Sequence, residues 1–362
     1  MSLLFQPLTL KSVTLRNRIA VPPMCQYSAQ EGLANEWHQL NYGAQARGGA
    51  GLVIVEATGV SPEGRISPNC LGIWSDAHAE ALRPTVAAIK ANGAIAGIQL
   101  AHAGRKANAN APWEGDDHIK EGDPRYWETI APSAIAFGEN LPRVPREATL
   151  GDIARLRQDF VEAAKRALAA GFEWLEIHFA HGYLAQSFLS KDANQRSDAY
   201  GGSYENRSRF LRETFAAVRE VWPEHLPLTI RLGVTEFNGT VEEDLAEAIT
   251  LTKTLKEGGL DLLSVSIGFS TPAAQVPWGP AFMGPISKRI RDEVNIPVAS
   301  AWGFGEPQLA EAAIASEQLD LVMVGKAHLA NPHWAFEAAK ALGQDKATSL
   351  LPLPYGHWLA RY

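Results

Sequence analysis

Cysteine is scarce in this chain: Cys25 and Cys70 are the two present in 362 residues. A disulfide framework is thereby excluded as the basis of the fold, and the chain reads as cytoplasmic. Long apolar runs are missing too. None approaches the roughly 20 residues that a membrane-spanning helix needs. Residues 1–30 lack the basic start, apolar stretch and small-residue cleavage site of a secretory signal. No membrane partner is expected. Positive charge is not in excess: 33 Lys and Arg stand against 40 Asp and Glu, a formal net charge of −7. A nucleic-acid binder would show a basic face instead. Low-complexity tracts and interdomain linkers are also lacking, so residues 1–362 are expected to form a single domain.

What is present is ordinary for a globular protein: 46% hydrophobic and 20% charged residues. A chain this long can bury its core without a disulfide or metal staple. Its ten tryptophans are more than such a core requires, and some are expected to line a site for a flat ligand. Short runs rich in Val, Ile and Leu recur at 19–21, 52–56, 95–100, 174–178, 228–232, 262–266, 297–301 and 321–324. Most are unbroken rather than alternating, as strands buried on both faces require. Helical patterns occupy 78–91, 151–170, 204–221, 242–257, 284–293 and 307–316. Thr149 or Asp152 can cap the second of these. Gly93, Gly171 and Gly258–Gly259 stand where helices stop. Alternation of strand and helix implies a parallel sheet. Eight such units point to an α/β fold of one (β/α)8 TIM barrel, with an open doubly wound sheet as the alternative. The polar stretches 101–148 and 179–203, which follow the third and fourth strands, are too long to be plain connections. Both leave the C-terminal ends of strands, where barrel active sites lie.

The segment Trp174–Tyr183, WLEIHFAHGY, carries the most chemistry. A buried strand ends at His178, and His181, Gly182 and Tyr183 follow at once. Two imidazoles and a phenol at the barrel mouth can polarise a carbonyl or nitro oxygen. Tyr183, as a phenol, keeps its proton at neutral pH and can deliver it. A metal site or a structural histidine pair is the alternative, but two histidines without a clear third ligand are a weak zinc signal. Arg231 interrupts the apolar strand TIRLGV, which is costly unless it meets a negative partner. That partner is either a ligand or a barrel carboxylate such as Glu56. Cys25 follows the first strand in VPPMCQY, where a small inert core residue is the bland reading. Cys70 has no motif around it and reads as structural. AWGFG after strand seven and VGKAHLAN after strand eight supply N–H groups and a cation for a phosphate.

With these residues in view, the chain resembles the Old Yellow Enzyme family of flavin oxidoreductases. HFAHGY followed by SDAYGGSYENRSRF is similar to that family's central pattern. LRNRIAVPPMCQYSA resembles the branch with a cysteine near the flavin, and IQLAHAGRKA, PWEG and AWGFGEPQLAE extend the likeness over nearly the whole chain. Within the family it is most similar to xenobiotic reductase A-like proteins. The resemblance implies non-covalent FMN across the barrel mouth and NADPH as reductant. Hydride would pass to the flavin N5 and then to the β-carbon of an enone or nitroalkene. His178 and His181 would bind the substrate oxygen and Tyr183 would protonate the α-carbon. It further implies flavin contacts from Pro23, Met24, Cys25, Ala57, Gln99, Arg231, Ala301, Trp302, Gly303, Gly325 and Lys326. Tyr27, Trp302 and Trp358 would face the substrate. The family usually has arginine at position 326 and aspartate at 331, where this chain has Lys326 and Asn331. Lysine keeps the charge but loses the planar fork. Trp358 and Arg361 either reach a neighbouring subunit or pack on their own barrel, and a homodimer or higher homo-oligomer is expected. Rival readings are a flavin-free aldolase or sugar-phosphate isomerase, a metal-dependent hydrolase, and a non-catalytic flavin-binding protein.

Overall fold

Eight parallel strands close on themselves in the computed structural model, which describes residues 2–361. They are β1 (Ile19–Val21), β2 (Leu52–Gly59), β3 (Ile95–Ala101), β4 (Trp174–Phe179), β5 (Leu228–Gly233), β6 (Leu262–Ser266), β7 (Val298–Ser300) and β8 (Leu321–Met323). Each pairs with its sequence neighbours, and β8 returns to β1 through Val322↔Ile19 and Met323↔Ala20. Every strand residue from β4 to β8 is buried. That is why these segments read as unbroken apolar runs: helices cover the outer face and side chains fill the inner one.

The helical ring consists of α1 (Glu36–Arg47), α2 (Asp76–Ala91), α3 (Leu150–Ala170), α4 (Arg209–Val221), α5 (Val241–Glu257), α6 (Gly284–Val294), α7 (Pro307–Ala315) and α8 (Trp334–Ala341). Thr149 and Asp152 cap α3 together. The threonine hydroxyl accepts from the Asp152 N–H, and the aspartate accepts from the Thr149 N–H, a reciprocal capping box. Gly171 ends α3 in the left-handed conformation, φ 98°. Two ring helices, α1 and α8, lie outside the sequence-derived set. Helix α1 buries His38, Tyr42 and Gln45 alongside Ala46, so its inner face is polar and carries no apolar period to detect. The helix expected over 204–221 is two pieces, Tyr204–Arg207 and α4, divided at Ser208.

The two long connections are folded against each other. Ile130–Ala131 pairs with Arg146–Glu147 inside the first. Arg196 of the second donates to the carbonyls of Pro132 at 2.8 Å and Ala148 at 2.6 Å. Arg105, just past β3, donates to the carbonyls of Ile135, Ala136 and Ser270. Both loops are thereby held over the C-terminal mouth.

Candidate active site

Side chains alternate along a strand, so Glu176 and His178 share one face of β4. His178 is the register partner of Arg231 on β5, and Glu176 that of Gln99 on β3. Four functional side chains thus come from three adjacent strands. The Gln99 amide donates to one Glu176 oxygen at 2.7 Å, and the other oxygen is buried without a partner. Burial pushes the Glu176 carboxyl up to about 7, against the opposing pull of Arg231. Burial lowers the Arg231 guanidinium, and the Glu176 charge opposes that shift. Glu56, the alternative partner named from sequence, does not serve. It accepts from the Tyr42 hydroxyl at 2.9 Å and the Gln26 N–H at 2.8 Å, under the loop that follows β1.

Ser266, the last residue of β6, joins the histidines to the arginine. Its hydroxyl lies 3.2 Å from Arg231 Nε, 3.2 Å from Trp302 Nε1 and 2.9 Å from His181 Nε2. The first two are obligate donors. With both lone pairs taken, the serine's hydrogen must go to His181 Nε2, so that imidazole is neutral with its proton on Nδ1. Burial, then the Arg231 charge, hold both histidines well below the usual range, so each offers one neutral N–H. The rings of His178, His181 and Tyr183 form an edge-to-face cluster with centroids 4.8, 5.2 and 6.2 Å apart. Burial pushes the Tyr183 phenol up, so it keeps its hydrogen at any ordinary pH.

His181 has φ 62°, a strained backbone for a non-glycine residue. Lys106 supports it by donating to the carbonyls of His181 and Phe269, both at 2.8 Å. Its ammonium lies 4.0 Å from the Phe137 ring centre, and burial brings it down to about 7.

A cavity of about 470 Å³ opens beside this cluster. Arg231 lines it together with Pro23, Met24, Ala301, Trp302, Gly303, Gly325 and Lys326. The set fits an anionic, flat ligand on three counts. First, Arg231 makes no salt bridge among the described residues; its bond is to Ser266. Second, among the described residues nothing accepts from the N–H of Gly303 or Gly325, and Lys326 adds a cation beside them. Third, a Cβ at Gly303, where φ is +83°, would lie 2.5 Å from the Ala281 nitrogen, so only glycine keeps that N–H bare. His178 Nδ1 is also buried without a partner, a cost of about 1–3 kcal/mol that a bound oxygen would recover.

The remaining sequence-derived residues fall into two groups. Ala57 follows an irregularity in the β2–β3 pairing, between Val55 and Ala57, of the kind that re-aims side chains at strand ends. Cys25, in the loop that follows β1, is half-buried. Tyr27 meets the Trp113 ring edge-on at 5.4 Å. None of Ala57, Cys25 and Tyr27 is among the residues that line the cavity. Trp358 and Arg361 do not enter the site of their own chain. Trp358 is 77% exposed on the helix Leu353–Leu359, with its ring against His357. Asn331 accepts from the His333 N–H at 2.9 Å and so starts α8. Among the described residues no three His, Cys, Asp or Glu side chains gather as a metal would need.

Sequence reasoning missed Glu176, Ser266 and Lys106. Glu176 left a signal, a charge inside WLEIHF. Lys106 lay in a quoted motif but at an unassigned position. Ser266, a strand-end serine, left none.

Comparison with known proteins agrees with this geometry. A profile of the NADH:flavin oxidoreductase / NADH oxidase family matches residues 3–345. The NADPH dehydrogenase of Geobacillus thermodenitrificans is 42% identical over 346 residues, covering 94% of this chain and 95% of that protein. The NADPH dehydrogenase of Clostridium acetobutylicum is 39% identical, covering 93% and 94%. Among solved structures, morphinone reductase superposes with a TM-score of 0.78 at 29% identity, covering 94% of this chain and 90% of that one. The old yellow enzyme homologue from Zymomonas mobilis gives 0.76 at 30% identity, covering 91% and 90%.

Proposed function

We propose a function for this chain from one premise: it belongs to the NADH:flavin oxidoreductase / NADH oxidase family, the Old Yellow Enzyme family. It is an FMN-dependent oxidoreductase, and the reductant we assign is NADPH. The electron acceptor we assign is an alkene conjugated to a carbonyl or nitro group. When bound, FMN supplies the hydride chemistry, accepting from the reduced nicotinamide and donating to the alkene β-carbon.

The protein's part follows from the cluster on β4. His178 and His181 donate neutral N–H groups to the substrate oxygen and draw electron density away from the alkene. The Ser266 bond fixes which His181 nitrogen does so. Tyr183, 5.2 Å from His178 by ring centres, hands its hydrogen to the α-carbon. Arg231, which makes no salt bridge among the described residues and bonds to Ser266, meets the negative edge of the cofactor. Gln99 is fixed by Glu176, with its carbonyl left to accept from a ring N–H. Gly303, Gly325 and Lys326 hold the phosphate. The nicotinamide and the alkene occupy one place in turn, so the kinetics should be ping-pong. The exposed Trp358 and Leu353, 77% and 84% accessible, suit a homo-oligomer in which the tail meets a neighbour. The setting we assign is the cytoplasm, where thiols such as Cys25 and Cys70 stay reduced.

The observation that carries this reading is the convergence of two neutral imidazoles and a protonated phenol beside a cavity lined by the Gly303 and Gly325 N–H groups, which meet no acceptor among the described residues. Cyclohex-2-enone and cyclohexene, each offered with NADPH, test it. The account expects the enone alone to lose its double bond. An enzyme that oxidises NADPH with dioxygen but saturates no enone would refute it.

A further inference from the structure

Lys106 touches the turn that carries His181, yet the steps above give it no task. It ends the turn Gly104–Lys106 just after β3 and places its amine in the seam between two other loops. The Nζ donates to the His181 carbonyl, after β4, and to the Phe269 carbonyl, after β6, both at 2.8 Å. Both acceptor residues have left-handed backbones, φ 62° and 49°. Non-glycine residues keep that conformation only where the surroundings over-determine it. The seam has no slack: Gly182 has φ 67°, and a Cβ there would collide with the Phe269 carbonyl oxygen and lie 2.9 Å from the Lys106 Nζ. The two loops do not depend equally on this amine. Next to Phe269, the Ser270 N–H and hydroxyl donate to Glu236 at 2.8 and 2.7 Å, and Arg105 donates to the Ser270 carbonyl. The His181 N–H is bonded to the Ile267 carbonyl at 3.1 Å. Its carbonyl, however, accepts from Lys106 and from no other group among the described residues. Lys106 therefore decides the tilt of the His181 peptide, and with it where the imidazole points. The Ser266 hydroxyl holds that ring at Nε2, so the Nδ1–H is the donor whose aim the backbone sets. A lysine kept to balance charge would face a carboxylate, and Lys106 makes no salt bridge among the described residues; its amine rests 4.0 Å from the Phe137 ring centre instead.

We propose that Lys106 is the positioning residue of the acceptor half-reaction: by holding the His181 carbonyl it aims the His181 N–H at the substrate oxygen, and it takes no part in flavin reduction. The inference rests on the functional reading above and deepens it. Neutral or charged, the amine has an N–H for each carbonyl, so the clamp persists although burial brings Lys106 down to about 7. Lys106 is not among the residues that line the cavity, so its loss should spare FMN. Hydride transfer from the nicotinamide requires no oxygen to be polarised, whereas reduction of the conjugated alkene does. The two halves of the cycle thus separate a positioning role from a merely structural one, which would weaken both.

Lys106→Met keeps the aliphatic stem and removes the donors. Wild-type and variant holoproteins are compared in three measurements: a phenol titration read from the long-wavelength flavin absorbance, anaerobic bleaching by saturating NADPH, and reoxidation by cyclohex-2-enone. In the variant the phenol dissociation constant should rise by about tenfold, the worth of one hydrogen bond to a charged oxygen. Reoxidation should slow by about 10–10²-fold, as a misplacement of about 1 Å can cause. Bleaching should stay within about twofold. Lys106→Gln, whose amide offers two N–H groups one bond short of the same carbonyls, should fall between the two proteins, and it carries the comparison if Lys106→Met does not fold. A folded variant whose phenol affinity and reoxidation stay within twofold of wild type would overturn the proposal. So would equal losses in both halves, the mark of a loop that has simply come loose. Wild-type protein whose bleached flavin the enone cannot restore defeats the functional reading and this role with it. A working wild type matched by the variant defeats this role alone.

Discussion

At the scale of single residues, the site works by keeping its groups neutral. Tyr183 and the two histidines hold their uncharged forms because burial penalises the charged ones. Tyr183→Phe removes one hydrogen and little else. Alkene reduction should slow by about 10²–10⁴-fold, the usual worth of a placed proton donor. Flavin bleaching by NADPH should stay within about twofold. Stopped-flow spectra of the two halves separate these, and equal losses in both would remove the donor role. Replacing His178 by Ala takes away one donor to a substrate oxygen. The dissociation constant of a phenol bound at the site should rise by about tenfold or more, in line with roughly 1.5–3 kcal/mol for a bond to a charged oxygen. Titration of the long-wavelength absorbance checks it, and unchanged affinity would dismiss the assignment.

Glu56 gives a residue-scale prediction about stability. Burial raises its carboxyl to about 8 from an ordinary 4.5, so the folded chain holds a proton that the unfolded chain gives up. In that window the folded state binds more protons, and stability falls as pH rises. The thermal midpoint should therefore decline from pH 5 to 8. Glu56→Gln, which cannot ionise, should show a shallower decline. Parallel slopes for the two proteins would show that Glu56 does not titrate as described.

At the scale of elements, caps and latches hold the helices and the long loops in place. Thr149→Ala removes one half of the α3 capping box and should lower unfolding free energy by about 1 kcal/mol. Urea titration measures this, and an unchanged midpoint would mean the box is ornamental. Arg196 ties the second loop to the first through the carbonyls of Pro132 and Ala148. Arg196→Ala should cost about 2–3 kcal/mol, since the carbonyls lose a charged donor. Limited proteolysis should then cut first within residues 105–148. Cleavage no faster than in the parent protein would contradict the latch. These elements also show what can be read from a sequence. All eight barrel strands were legible, because strands buried on both faces carry unbroken apolar runs. Helix α1 was not, because its inner face is His38, Tyr42 and Gln45, and its stability comes from partners on other elements. The turn at Ser208 was hidden inside a continuous helical pattern for the same reason.

At the scale of the whole molecule, the barrel converts distant sequence positions into one site. Closing the sheet places Gln99, Glu176, His178 and Arg231 on adjacent strands and sets Gly303 and Gly325 in the lining of the cavity that Arg231 also lines. The residues to which we assign the chemistry were legible as motifs at strand ends. Those that hold them in place were not. Ser266 acts through three partners from three different strands and loops, and no local pattern encodes such a meeting. The central claim, that this mouth grips a flavin which a nicotinamide reduces and an alkene reoxidises, has one direct measurement. The purified protein is followed by visible absorbance under anaerobic conditions, first with NADPH and then with cyclohex-2-enone. The account predicts yellow protein whose flavin band bleaches with the first addition and returns with the second. Colourless protein that takes up no FMN, or a bleached band that the enone fails to restore, would contradict it.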